Sequence, residues 1–278
     1  MPRDFYLFGE FATIAGSGMT ASLPLLLIVD SGNTQVKWGL HDGSNWLKQG
    51  MVAQTGRALL DREWQDLREP AHIVVSNVAS AHTKAALSEL FSRWSAEPQW
   101  VAAVAYQCGV RNYYADPAQL GSDRWAALVA AWELQRQGCL VVDAGTAMTV
   151  DALSDTGEFL GGIITPGVDM MQKALIEHTA SLKPEEGTFC DYPDSTADAI
   201  YSGAVHALAG AVERMAALLT TTLGHAPDCI LCGGAAQQLQ PQLNLNVRVI
   251  DNLVLEGLIL IARESMENTA ISTIKPDP

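Results

Sequence analysis

Two spacings of apolar residues alternate along this chain, and the alternation occurs twice in the same order. Short β-branched runs predict strands at 25–30, 34–41 and 46–53, with a turn at Asp42-Gly43 between the last two. Wider spacing then predicts a helix near 58–68, a strand from His72 to Ser76, a helix over 81–95 and a strand near 99–104. The second half repeats this with strands 139–143, 147–153 and 158–164, the last two joined by the turn Ser154 to Gly157. Helices follow at 167–179 and 195–222, then strand 228–232, a helix near 235–240, strand 247–250 and an apolar helix over 253–265. An irregular Tyr- and Pro-rich stretch, 106–120, and a helix from Ser122 to Arg136 join the halves. The expected fold is α/β: two βββαβα domains, each a mixed sheet covered by helices, with a cleft between them. The expected division is an N-terminal extension over 1–22, a first domain over 23–120 and a second over 121–278 that includes the linking helix. Met19 is an alternative start.

The first turn of each half is similar. The run ending Asp30-Ser31-Gly32-Asn33-Thr34 and the run ending Asp143-Ala144-Gly145-Thr146-Ala147 both stop a β-branched strand at an Asp, with Gly two residues later. Small residues at 31 and 32 let a phosphate approach the backbone, and consecutive turn N–H groups form an anion-binding nest. Asn33 and Thr34 add side-chain donors and Lys37 a positive charge, while Asp30 suits a hydrated Mg²⁺. A hairpin turn with Asx chemistry is the structural alternative. Thr146 is the phosphate donor of the second turn and Asp143 its cation ligand. Asp151, at the end of the following strand, is expected to be solvated, as aspartates usually are.

Composition narrows the partners. A formal charge of −14 over 278 residues leaves no basic face for nucleic acid. The apolar stretch Leu23 to Val29 is too short to span a bilayer, and residues 1–22 lack a signal-peptide pattern, so no membrane partner and a cytoplasmic location are expected. Five cysteines, an odd number, suit reduced thiols. Cys229 and Cys232 have C-x-x-C spacing but read as core thiols of a buried strand, since no second Cys or His cluster accompanies them.

A third element, Arg111 to Trp125, carries Tyr114 and then Gly121-Ser122-Asp123-Arg124 at the start of an apolar helix. Asp123 reads either as a helix-start residue or as a general base beside a cationic anchor. Together with the two turns and the Gly-Gly-x-Ile-x-Pro-Gly segment at 161–167, this combination resembles the type III pantothenate kinases. That family belongs to the superfamily of acetate and sugar kinases, Hsp70 and actin. The resemblance covers roughly residues 24–265, and the Gly-Ser-Asp-Arg element separates it from the rest of the superfamily.

The resemblance implies a duplicated actin-like (ribonuclease H-like) fold and ATP-dependent phosphorylation of the pantothenate hydroxyl, the first step of coenzyme A synthesis. It implies that Asp30, Ser31, Gly32, Asn33, Thr34, Gln35, Val36 and Lys37 line the ATP phosphates, and that Thr146 contacts them from the second turn. It implies a monovalent cation, K⁺ or NH₄⁺, on Asp143, and Mg²⁺ reached through water from Asp30. Tyr114, Gly121, Ser122, Asp123 and Arg124 match the pantothenate site, with Asp123 the proton acceptor, and Thr196 matches a further substrate contact. Arg124 either anchors the pantothenate carboxylate or steadies the substrate. The family is dimeric, which leaves His178 and Thr179 at a dimer contact or at a solvated helix end. One departure is Cys232 before Gly233-Gly234, where the family commonly has Thr, a better hydrogen-bonding residue near the adenosine. Two other readings remain: a Bvg accessory factor-like regulatory protein with weak or no kinase activity, and a kinase or phosphatase of this fold acting on a sugar or acyl phosphate.

Overall fold

The computed structural model describes residues 24–179 and 185–274; the expected extension 1–22 lies outside them. In the first half, β1 (Leu26–Ser31), β2 (Gln35–His41), β3 (Trp46–Ala53), α1 (Ala58–Glu63), β4 (His72–Asn77), α2 (Ala81–Phe91) and β5 (Pro98–Trp100) follow the expected order. A hairpin, β6 (Tyr106–Gln107) and β7 (Val110–Asn112), and helix α3 (Ser122–Gln135) come next. The second half holds β8 (Cys139–Ala144), β9 (Ala147–Leu153), β10 (Glu158–Pro166), α4 (Val168–His178), α5 (Thr196–Leu223), β11 (Asp228–Cys232), α6 (Ala236–Leu239), β12 (Val247–Val249) and α7 (Leu253–Ile274).

The sheets repeat one topology: β3-β2-β1-β4-β5 in the first and β10-β9-β8-β11-β12 in the second, where β7 and β6 extend the β10 edge. In each sheet the first two strands are antiparallel, and the crossover strands run parallel to the first. The duplicated actin-like architecture follows from this order.

Three apolar clusters hold the layers. Leu27, Val29 and Trp38 pack with Leu60, Leu87 and Phe91 outside the first sheet. Leu140, Val142 and Val150 pack with Val205, Leu208 and Val212 of α5 outside the second. The third cluster lies between the sheets: Leu26, Ile28 and Val74 face Val141, Leu153 and Ile230 across α3 and α7. Helix α3 is therefore buried from Arg124 to Trp132, as a helix that is apolar nearly all round must be.

Several boundaries differ from the sequence reading. Helix α2 ends at Phe91, where the Ser92 hydroxyl donates to the Glu89 carbonyl oxygen, and α1 ends at Glu63 with Trp64 as its cap. Strand β5 keeps three residues, Pro98–Trp100, because it is an edge with one neighbour. Helix α7 runs on to Ile274, well past 265. The stretch 106–120 contains a hairpin that pairs with β10 of the second sheet, although its position assigns it to the first half. Its turn uses Cys108 at φ 51° and Gly109 at φ 82°. Asn or Asp is the usual residue before Gly in such a turn, so a Cys hides the signal. The Cys108 N–H is held by Glu264 Oε1 at 2.8 Å.

Helices α3 and α7 cross at Gly257, where an added Cβ would strike the carbonyl group of Ala126. Backbone is on the other side, so no side chain can move aside. Gly257→Ala is expected to destabilise the protein by about 1–3 kcal/mol, outweighing the helix-propensity gain of about 1 kcal/mol that this change brings elsewhere. Denaturant unfolding of the variant checks this, and a stabilised variant would refute the tight crossing.

Candidate active site

The two similar turns meet. The hydroxyls of Thr34 and Thr146 are hydrogen-bonded to each other at 2.6 Å across 112 residues of sequence. The first turn is closed by the Gly32 N–H donating to Gln35 O at 3.0 Å. Gln54 then clamps it from the end of β3, its Nε2 donating to Ser31 Oγ at 3.1 Å and to Gly32 O at 2.6 Å. Arg57 in turn holds Gln54 Oε1 at 2.7 Å. Neither Gln54 nor Arg57 carries a sequence signal, since the clamp comes from residues 20 or more positions away with no motif of their own.

Gly32 itself has room: an added Cβ would meet nothing closer than Gln35 O at 3.6 Å. The packing of the fold therefore does not demand glycine there. Register makes the turns unequal. Asp30 pairs with Lys37 across β1 and β2, whereas Asp143 pairs with Thr149 across β8 and β9. One turn thus carries a cation where the other has a hydroxyl.

Three buried or half-buried carboxylates lie near one another here. Asp30 Oδ1 is buried without a hydrogen-bond partner. Burial, and then the Asp123 and Asp143 charges, push its carboxyl up to about 7, against Lys37 and a Ser76 hydrogen bond. Burial also raises Asp143, which Lys37 opposes. Asp123 is likewise raised by burial, opposed chiefly by a hydrogen bond from the Arg124 N–H. That bond is 2.7 Å long and comes from the next residue. Gly121 is the N-cap of α3, so Asp123 sits inside the first turn and does not cap the helix. The helix N-terminus favours its charged form there. Ser122 Oγ is 3.0 Å from Ser76 Oγ, which ties the start of α3 to the end of β4 beside Asp30.

Asp151 overturns its expectation. It is 2 % exposed and forms a buried ion pair with Arg124, which is 8 % exposed. Arg124 raises its Nη1 to 3.5 Å from the Tyr114 hydroxyl, so Tyr114 and residues 121–124 do converge. Thr196 is the first residue of α5 and borders an apolar groove of about 870 Å³ shared with Pro166, Met171, Leu175 and Ile200. Asn33, Thr34 and Gln35 are exposed at the tip of the first turn, whereas Val36 is core. Cys232 is buried beside Asp143, and burial holds its thiol neutral. The five cysteines are all free. Among the described residues no helix is long and apolar enough to cross a membrane.

The sequence profile of the type III pantothenate kinase family matches residues 26–218. A type III pantothenate kinase of Nitrosospira multiformis is 74 % identical over 247 residues, 89 % of this chain and 94 % of that protein. One from Nitrosomonas eutropha is 47 % identical, covering 86 % of this chain and 94 % of its own length. Among solved structures, a Campylobacter jejuni protein described as a Baf family transcriptional activator aligns with TM-score 0.54 at 22 % identity, over 87 % of this chain and 99 % of its own. MreB5 of Spiroplasma citri bound to ADP aligns with TM-score 0.51 at 12 % identity, over 89 % of this chain and 98 % of its own. These two likenesses are of fold alone.

The buried Asp30 has a consequence for stability. Its carboxyl ionises near 3.8 when unfolded and at about 7 when folded. Below the first value both states hold the proton. Between the two values only the folded state does, so this group's stabilising contribution is lost as pH rises through 7. In Mg²⁺-free buffer, Asp30→Asn is expected to melt close to wild type near pH 4 and above it near pH 8. Thermal melts at the two pH values check this; an equal difference at both would remove the carboxylate from the account.

Proposed function

The chain belongs to the type III pantothenate kinase family, and from that premise we infer how its cleft moves the γ-phosphoryl group of ATP to the pantothenate hydroxyl. Phosphoryl transfer asks a protein mainly for positioning and charge neutralisation. The observation that carries this reading is the contact of the two turns through Thr34 and Thr146. On this proposal the nest of residues 30–37 and the hydroxyl of Thr146 hold the phosphates, with Lys37 as the fixed cation. The two hydroxyls exchange their mutual bond for phosphate oxygens.

The unpartnered Oδ1 of Asp30 and its neighbouring carboxylates fit a cation. Asp30 would hold Mg²⁺ through water, and Asp143 a K⁺ or NH₄⁺. Among the described residues no group of three His, Cys, Asp or Glu side chains can hold a metal ion alone, so water and phosphate would complete each shell. Mg²⁺ held there would supply neutralisation of phosphate charge. Asp123, at the mouth of α3, accepts the hydroxyl proton. Burial raises its basicity, which suits that role.

A homodimer fits the exposed apolar face of β10 and α4, where Leu160 is 42 %, Ile164 63 %, Met170 42 % and Leu175 44 % exposed. Thr196 borders the groove that Leu175 lines, so its substrate contact requires the pantothenate pocket to extend to this face. The regulatory reading draws nothing from the similar proteins beyond a shared fold. A reducing, cytoplasmic setting suits the free cysteines.

Coupled ADP release is expected to depend on pantothenate and to rise with K⁺. Asp123→Asn is expected to lower kcat by about 10²–10⁴-fold, the usual worth of a general base; full activity in that variant would end the assignment. Light scattering is expected to show a dimer in solution, and Ile164→Asp to yield a monomer. A monomeric wild type would refute the apolar face as an interface.

A further inference from the structure

We propose that Asp151 is a positioning residue for pantothenate, acting through Arg124; this rests on the kinase reading above. Asp151 receives Arg124 in a side-on, two-point contact, Nε donating to Oδ2 at 3.0 Å and Nη2 to Oδ1. Five N–H donors lie in a fixed plane on a guanidinium, so occupying the Nε side leaves its end edge, with Nη1, free. That edge turns toward the Tyr114 hydroxyl, while the face of the group lies over the Phe159 ring at 5.9 Å. Asp151, Phe159 and Tyr114 come from three different segments, and together they leave Arg124 one orientation.

A second observation comes from the opposite strand. Gly162 pairs with Asp151 across β9 and β10. A Cβ at 162 would overlap the Asp151 carboxylate, come within 2.7 Å of the Val150 carbonyl oxygen and within 2.8 Å of Arg124 Nη2. The second glycine of the Gly-Gly segment therefore keeps space for the ion pair. With Asp151 charged, the buried pair is neutral as a unit, and Arg124 offers the substrate directed donors without a free positive charge.

Two variants test this: Asp151→Asn, which keeps shape and removes charge, and Gly162→Ala, which crowds the pair and alters no charged group. In either, the pantothenate KM is expected to rise about tenfold or more, with the ATP KM within about twofold and kcat lowered far less. An unchanged pantothenate KM in a folded variant overturns the proposal. So does a loss that falls on both substrates and kcat alike. Should Asp151→Asn fail to fold, Gly162→Ala decides by the same criteria. Loss of a cooperative thermal transition in both variants also overturns it, because the pair would then serve the fold alone. A wild type without pantothenate-dependent turnover would instead remove the kinase reading beneath it.

Discussion

The site depends on one constraint: helix α3 is buried between two sheets and cannot shift independently of either. Its apolar residues close the shared core with α7, each large side chain contributing about 1.5–3 kcal/mol by burial. The crossing at Gly257 sets the helix's depth, and the Ser76–Ser122 hydrogen bond sets its start against the first sheet. The ion pair of Arg124 with Asp151 ties the same turn to the second sheet. Asp123 lies between these two tethers. The residue proposed to accept the hydroxyl proton is thus carried by one of the most enclosed elements of the fold, while the two turns proposed to face phosphate are short and partly exposed.

Electrostatics set the cost of this arrangement. The Asp123 and Asp143 charges add to the cost of ionising buried Asp30, Asp123 adds to that of Asp143, and Lys37 is the positive charge that opposes it for both. Without further cations the cleft works against its own ionisation. A chain of net charge −14 concentrates unpaired carboxylates where positive ions and a polyanionic substrate would meet. Carboxylates could have been exchanged for neutral residues if the fold were the only requirement. Their placement next to a lysine and two hydroxyls fits the proposed phosphoryl-transfer site.

The element order, the paired turns and the start of α3 were legible because each rests on local chemistry: strand periodicity, a small-residue turn, a Gly before an apolar helix. The hairpin at 106–112 was not, because Cys108 occupies a left-handed position normally given to Asn or Asp. Gln54 and Arg57 were not, because a side chain that clamps a distant turn leaves no periodic trace. Asp151 was misread for a similar reason. An aspartate at a strand end is solvated by default, and only a partner 27 residues away reverses that.

By itself, the sequence determined the duplicated βββαβα order and the two Asp-x-Gly turns, since both follow from spacing and residue size within short windows. It also carried the Gly-Ser-Asp-Arg element at 121–124, one of the segments on which the family resemblance rests. Tertiary structure alone decided that the two turns touch, that Asp30 lacks a partner for one oxygen, and that Arg124 is committed to Asp151. Those outcomes depend on which distant groups share a low-dielectric space. Burial and pairing there are properties of the folded chain as a whole, and no local window of residues contains them.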